Sequence, residues 1–570
     1  MRKATTDRAG NLAGIGMILA LAGCGDSGGG PVASVSAPTT NSSLAKLVAS
    51  QSFANNAASE SATIAASANV TAAASTSQPL TFSYDLASNS YTVSTQGRNQ
   101  TFAPANQSSA ANGIAVYAIT NGATTDRLTL ESASVTGYGA GYPQYSGLGY
   151  WQRTATGSGS SAVTLDFFIY GLDTAASAIP RTGSAAYATS VYGLVTPIGS
   201  EARFFQGTGR MDVDFVDGLL TTSATAYETG IVSQTNYGSG VTIAGSGTLS
   251  SSANAFSGAI TYTGLNSKST GTLSGQFYGP TAQELGASFA TSGADGSSTS
   301  GVIWGNKNAS LTPANLSMAN IVSDESFAAQ GAQMTIPQGG GSANASLATG
   351  TVDVTAAGST TVTPAGLPAA TLTSSDKTTS SNANFTAYSQ AYGSGTITAN
   401  LYKAGSTNTE LALTYMTFGS WQGPTSTAAN SGTGTSWFVY GLGTDPSVIQ
   451  ARTGSASYTG VAYGTAYNSA TNATAGVNGT ASFAINFDMG GYSGSFGLKN
   501  ATTNYGTFNV SGTIASGVAA VGGVTGVTAG SGSFAPAFYG PTGQEFGGPF
   551  QISIPTANTT IVGAAAGKSG

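Results

Sequence analysis

Phe277-Tyr278-Gly279-Pro280-Thr281-Ala282-Gln283-Glu284-Leu285-Gly286-Ala287-Ser288-Phe289 recurs as Phe538-Tyr539-Gly540-Pro541-Thr542-Gly543-Gln544-Glu545-Phe546-Gly547-Gly548-Pro549-Phe550. A pattern as long as FYGPT-x-QE-x-G-x-x-F does not arise twice by chance, so the chain carries one structural unit twice, and each unit closes on this segment. Two aromatics end a strand. Gly-Pro then turns the chain, because Pro fixes φ and Gly relieves the crowding before it. Glu284 and Glu545 stand where a carboxylate can accept turn N–H groups. Gly286 and Gly547 restart a strand that runs to Phe289 and Phe550. A catalytic role for either glutamate would need a second acid close by, and no acid repeats beside them. The segment reads as a structural corner.

Outward from the corner, the two copies keep step at an offset of about 270 positions, far above the roughly 20–50 residues of a solenoid repeat. Ser43–Ala54 matches Ser317–Ala328, Gly149-Tyr150-Trp151-Gln152 matches Gly419-Ser420-Trp421-Gln422, and Arg181–Tyr187 matches Arg452–Tyr458. The units are therefore lobes. The first ends near Lys307, and Asn308 to Asn315 is the joint. Within each lobe apolar residues recur with period two: Val163, Leu165, Phe167 and Ile169; Met211, Val213 and Phe215; Leu411, Leu413 and Tyr415; Phe483, Ile485 and Phe487. These predict half-buried antiparallel strands, and the frequent glycines between them suit a strongly bent, closed sheet. Residues 44–50 have room for a helical turn or two.

Composition removes whole classes of chemistry. The 570 residues contain no His and one Cys. That excludes Ser-His-Asp triads, His-ligated metals, internal disulfides and Cys-based clusters. An axial haem ligand would have to be Tyr or Met, and nothing in the sequence points to a pair of them, so no cofactor and no metal site is expected. Asp212, Asp214 and Asp217 form an acidic cluster that reads as solvent-facing. Charged residues are 7% of the chain against about 25% in ordinary soluble domains. The net charge of −6 and the pI near 4.7 leave no basic patch for nucleic acid.

The single Cys has its own explanation. Arg2, Lys3 and Arg8 precede a short apolar run, Gly14 to Ala22, and then Leu21-Ala22-Gly23-Cys24. The run is too short to span a bilayer, which takes about 20 residues. The segment resembles a bacterial lipoprotein signal, which implies cleavage before Cys24 and lipidation of Cys24. Gly25 after it, in place of Asp, points to the outer membrane. Residues 24–43 read as a flexible Gly/Ser/Pro/Thr tether.

At this point the chain resembles a known family, the bacterial surface lipoproteins related to transferrin-binding protein B. Its lobes carry an FYGP-x-A-x-E-x-G-G-x-F segment late in a β-barrel, here Phe277–Phe289 and Phe538–Phe550. An aromatic-Gly-x-Trp strand is matched by Phe418-Gly419-Ser420-Trp421 and, more loosely, by Leu148–Trp151, and a Gly…Pro-x-x-Gly-x-Ala-x-Tyr stretch by Gly171–Tyr187. The resemblance implies an all-β chain of two tandem lobes, each a β-rich handle plus an eight-stranded antiparallel β-barrel: signal peptide 1–23, tether 24–43, handle 44–135, barrel 136–307, handle 317–409 and barrel 410–570. It also implies a non-enzymatic, outer-membrane-anchored surface protein that binds an iron carrier, haem or another solute and presents it to an outer-membrane transporter, after delivery by a surface translocator. The sparse charge and absent disulfides argue against transferrin itself as the ligand. An adhesive or structural surface lipoprotein is the alternative. Copy one alone has a Tyr/Gly-rich insertion, and the residues around it, Tyr138, Tyr142, Tyr145, Tyr150 and Trp151, resemble a recognition surface.

Overall fold

The computed structural model describes residues 40–111, 113–131, 143–428, 431–526 and 530–570. The alternating apolar segments form strands throughout, in two halves of like design. Each half opens with a nine-stranded antiparallel sheet, the handle, and ends in an eight-stranded barrel.

The centre of the first handle joins its first and last strands. Gln51–Ala65 pairs with Ser160–Gly171, Ala58 standing opposite Phe167 and Glu60 opposite Leu165. Val70–Asp85, Ser90–Thr95 and Arg98–Phe102 extend the sheet on one side. Ser146–Thr156, Thr124–Glu131, Ile114–Asn121 and Gln107–Ala111 extend it on the other. The second handle repeats the plan, with Glu325–Ile336 against Thr433–Gly441 and then Met416–Pro424 and Gly395–Tyr402.

The first barrel runs from Ser184–Thr196 to Ser298–Lys307 and closes by pairing these two strands, Tyr187 opposite Lys307 and Thr196 opposite Ser298. The second closes Ser455–Asn468 against Thr559–Ser569. One of its eight positions is split into Ser531–Phe534 and Ala537–Tyr539, both on Glu545–Ile554. A barrel of eight strands is narrow enough for side chains to fill, and both are filled. Phe205, Met211, Tyr262, Phe277 and Phe289 pack inside the first, and Phe483, Phe496, Phe534, Phe546 and Phe550 inside the second. Each such side chain removed from water contributes about 1.5–3 kcal/mol.

Three expectations give way. The barrels do not begin at 136 and 410. Ser146–Thr156 and Ser160–Gly171 belong to the first handle, as Met416–Pro424 and Thr433–Gly441 belong to the second, and the barrels start at Ser184 and Ser455. The reason lies in Ser160–Gly171, whose two faces are both apolar. Phe168 and Tyr170 enter the handle core, while Leu165, Phe167 and Ile169 pack on the outer wall of the barrel. Leu411, Leu413 and Tyr415 lie in a loop, where Leu413 is buried without strand pairing. Residues 44–50 form a turn and no helix.

Candidate functional site

The repeated corner joins barrel to handle. Glu284 begins the strand Glu284–Gly293, and its carboxylate accepts hydrogen bonds from Gln144 N at 2.5 Å, from Tyr145 N at 3.1 Å and from Ser146 Oγ at 2.6 Å. These donors lie where the chain enters the handle strand Ser146–Thr156. Glu545 does the same with Thr414 N at 2.6 Å, Tyr415 N at 2.9 Å and Met416 N at 2.9 Å. Burial raises the pKa of both carboxyls, against the opposing pull of these donors.

The turn adds three bonds per copy. Thr174 Oγ1 donates to Gly279 O and Thr444 Oγ1 to Gly540 O, each at 2.6 Å. Gly279 N reaches Leu172 O, and Gly540 N reaches Leu442 O. Tyr187 Oη donates to Ala282 O and Tyr458 Oη to Gly543 O. Gly279 and Gly540 have φ of 82° and 88°, in the region glycine adopts without a Cβ penalty. Pro280 and Pro541 follow them in the turn. A Cβ at Gly286 would lie 2.4 Å from Ile169 Cγ2, and one at Gly547 would lie 2.4 Å from Ala565 O. Phe277, Phe289, Phe538 and Phe550 point into the barrels, while Tyr278 and Tyr539 sit in the seam between handle and barrel. Every group of the motif has a structural task.

Of the expected recognition residues, Tyr138 and Tyr142 lie outside the described residues. Of the other three, Tyr145 and Tyr150 are half-buried and Trp151 is buried. Tyr145 packs its ring against Gly279 and gives its N–H to Glu284. Tyr150 packs beside Phe167 in the seam. Trp151 is fully buried, donates Nε1–H to Asp126 at 3.0 Å and carries Arg98 and Arg153 at 4.6 and 5.2 Å from its ring centre. Of the three, Trp151 is closed to a partner, while Tyr145 and Tyr150 keep part of their surface exposed.

The acidic cluster also turns inward. Asp212 and Asp214 are 4% and 1% exposed. Asp212 pairs with Arg210 and accepts Ala314 N, and Asp214 accepts Asn320 Nδ2 at 2.8 Å. Ser317 Oγ donates to Asp217. The first barrel thus grips the start of the second half.

Sequence reasoning missed a cleft of about 730 Å³ between the second handle and its barrel. Its handle wall is two cross-strand rows: Thr398, Gln422 and Thr435; then Asn400, Ser420 and Trp437. Thr465 and Gly476, opposite each other on adjacent barrel strands, form part of the facing wall. Trp437 is held by its Nε1–H donated to Thr465 Oγ1 at 2.9 Å. The Thr435 hydroxyl is buried with no hydrogen-bond partner in the protein, a condition that costs about 1–3 kcal/mol unless something in the cleft satisfies it.

The first half is sealed at the same place. Strand register sets Leu165 at the position of Thr435, Phe167 at Trp437 and Tyr150 at Ser420. On the barrel side Leu194 stands for Thr465 and Phe204 for Gly476. These residues belong to or pack against one apolar cluster. The signal available in the sequence was this exchange of apolar for small or polar residues between the copies, and reading it requires the strand register.

Residues 179–307 match the family of the C-lobe and N-lobe beta barrels of Tf-binding protein B. Over these residues the chain is similar to that family. Its match covers the first barrel from just before Ser184 to Lys307, and the duplicated corner extends the same plan to the second. Among solved structures, a single-substitution mutant of Transferrin Binding Protein B from Haemophilus parasuis is 16% identical, over 78% of this chain and 86% of that one, with a TM-score of 0.29. The isotype 1 protein from serogroup B Neisseria meningitidis is 17% identical, over 75% and 85%, with a TM-score of 0.26. At such low scores these structures carry no argument, and the similarity rests on the family match over the first barrel. No curated protein matches the chain.

Proposed function

We propose that the chain is a surface lipoprotein, anchored in the outer membrane through Cys24, that captures a solute or iron carrier and presents it to an outer-membrane transporter. A surface translocator would deliver it to the cell exterior. The lipoprotein signal supports the anchor, and the transferrin-binding protein B-like plan supports capture. The observation that carries the reading is the cleft of the second half. Its volume of about 730 Å³ falls within the roughly 300–1,000 Å³ of small-molecule sites, and the duplicated first half shows that the fold does not need it open. A small solute therefore fits this chain better than a protein the size of transferrin.

Native mass spectrometry of the chain isolated from its own cells tests the proposal. A small molecule that co-purifies, and that is lost when the cleft is filled by Gly476→Phe, is the expected result. A ligand-free mass, unchanged after incubation with spent growth medium, would remove solute capture.

A further inference from the structure

We infer that the cleft of the second half takes an uncharged, hydroxyl-rich ligand: a sugar ring or a short neutral glycan. The inference rests on the capture reading above and names its ligand class.

The chemistry of the walls makes the selection. The handle rows offer hydroxyls from Thr398 and Ser420 and amides from Gln422 and Asn400. Each of these side chains can both donate and accept. A sugar hydroxyl has the same dual character, so neutral amides and hydroxyls complement it without leaving a buried group unpaired. An anion would need convergent cations, and among the lining residues Lys499 is the one charge. Behind the wall lies the opposite sign: Glu410 accepts Tyr463 Oη at 2.8 Å and Tyr402 Oη at 3.1 Å. The same bond occupies Tyr463, the one phenol lining the cleft, so haem finds no free phenol oxygen to serve as an axial ligand there.

The apolar share of the wall fits the same class. Trp437 and Phe385 line the cleft with their rings nearly perpendicular, at 86°. The hydrogen bond from Trp437 to Thr465 fixes the indole. A rigid aromatic edge beside amides and hydroxyls suits a ring that has C–H on its faces and O–H on its rim. The lining departs from the first half at four positions, Thr435, Ser420, Thr465 and Gly476, where that half has Leu165, Tyr150, Leu194 and Phe204. Thr398, Asn400 and Gln422 are in register with Arg127, Thr129 and Gln152, polar in both halves.

The test uses the full chain, purified in detergent, on an array of immobilised neutral glycans, with haemin and ferric citrate titrated in parallel. Two variants return first-half side chains to the cleft: Thr465→Leu combined with Gly476→Phe, and separately Ser420→Tyr. A Cβ at Gly476 meets nothing within 4 Å, so the first is expected to fold, and circular dichroism and the melting temperature check both. Binding of a neutral glycan, weakened about tenfold or more by either folded variant, supports the inference. Haemin or ferric citrate binding that the same variants abolish would overturn the sugar class and leave solute capture standing. Glycan binding indifferent to both variants, or no glycan binding by the unaltered chain, also overturns it.

Discussion

Glu284→Ala removes the acceptor of three hydrogen bonds at once, from Gln144 N, Tyr145 N and Ser146 Oγ. Bonds to a charged acceptor are worth about 1.5–3 kcal/mol each, a gross loss of roughly 4–9 kcal/mol. Part of this is returned, because the carboxylate no longer has to be desolvated; the upward pull of burial on its pKa is the sign of that cost. Breaking one side of such a buried charged contact typically costs about 3–5 kcal/mol, and that range is the expected net loss. Glu284→Gln keeps the volume and one carbonyl acceptor, so its loss should be roughly half as large. Urea denaturation followed by tryptophan fluorescence reads the effect by lobe. Trp151 and Trp304 report on the first half, Trp421 and Trp437 on the second, and Trp304 Nε1 itself donates to Ser146 Oγ at 2.8 Å. Glu284→Ala should shift the first-half transition, and Glu545→Ala the second. A loss below about 1 kcal/mol in a folded Glu284→Ala protein would refute the idea that this carboxylate holds handle to barrel.

Glu60 gives a pH dependence of defined sign. It stands on the handle facing the barrel, where Thr196, Ser298 and Ser300 donate to it, and burial pushes its pKa up to about 7 from 4.5. The fold favours the protonated acid, so this contribution is greatest below pH 4.5 and is lost as pH rises towards 7, by roughly 3 kcal/mol in all. Glu60→Gln should flatten that decline, and an unchanged slope in denaturation midpoints between pH 5 and 8 would count against it. Tyr145→Ser should destabilise the first half by about 2 kcal/mol through lost packing on Gly279, seen as a lower melting temperature; an unaltered melting temperature would return Tyr145 to the list of surface residues.

The repeated corner made the duplication and the barrels legible, because the motif needs a strand end, a left-handed glycine and a carboxylate at fixed spacing. Even so, its partner was not legible: the N–H groups Glu284 binds lie about 140 residues earlier, beyond the reach of any local pattern. The division between handle and barrel failed for a related reason. Ser160–Gly171 alternates like a barrel strand, yet pairing with Gln51–Ala65 is what makes it handle. Trp151 looked like a recognition aromatic because Tyr and Gly surround it in sequence, and Asp126 and two arginines enclose it in space. The second copy has Ile397, Gly423 and Ser436 in register with Asp126, Arg153 and Asp166, and there Trp421 Nε1 is buried without a partner. The cleft was hidden in the same way. Ser420, Thr435 and Thr465 read as ordinary polar faces of strands until register sets them beside Tyr150, Leu165 and Leu194 of the first half.

The grip of the first barrel on the joint changes how the two halves respond to force. Arg210 holds Thr312 O, Asp212 holds Ala314 N and Asp214 holds Asn320, while Asn315 accepts Val322 N and Ser323 N and donates to Glu325. A connector fastened at so many points on both sides is a bracket and not a string. A pull on the second half is therefore passed through carboxylates of the first, and the pair turns as one lever.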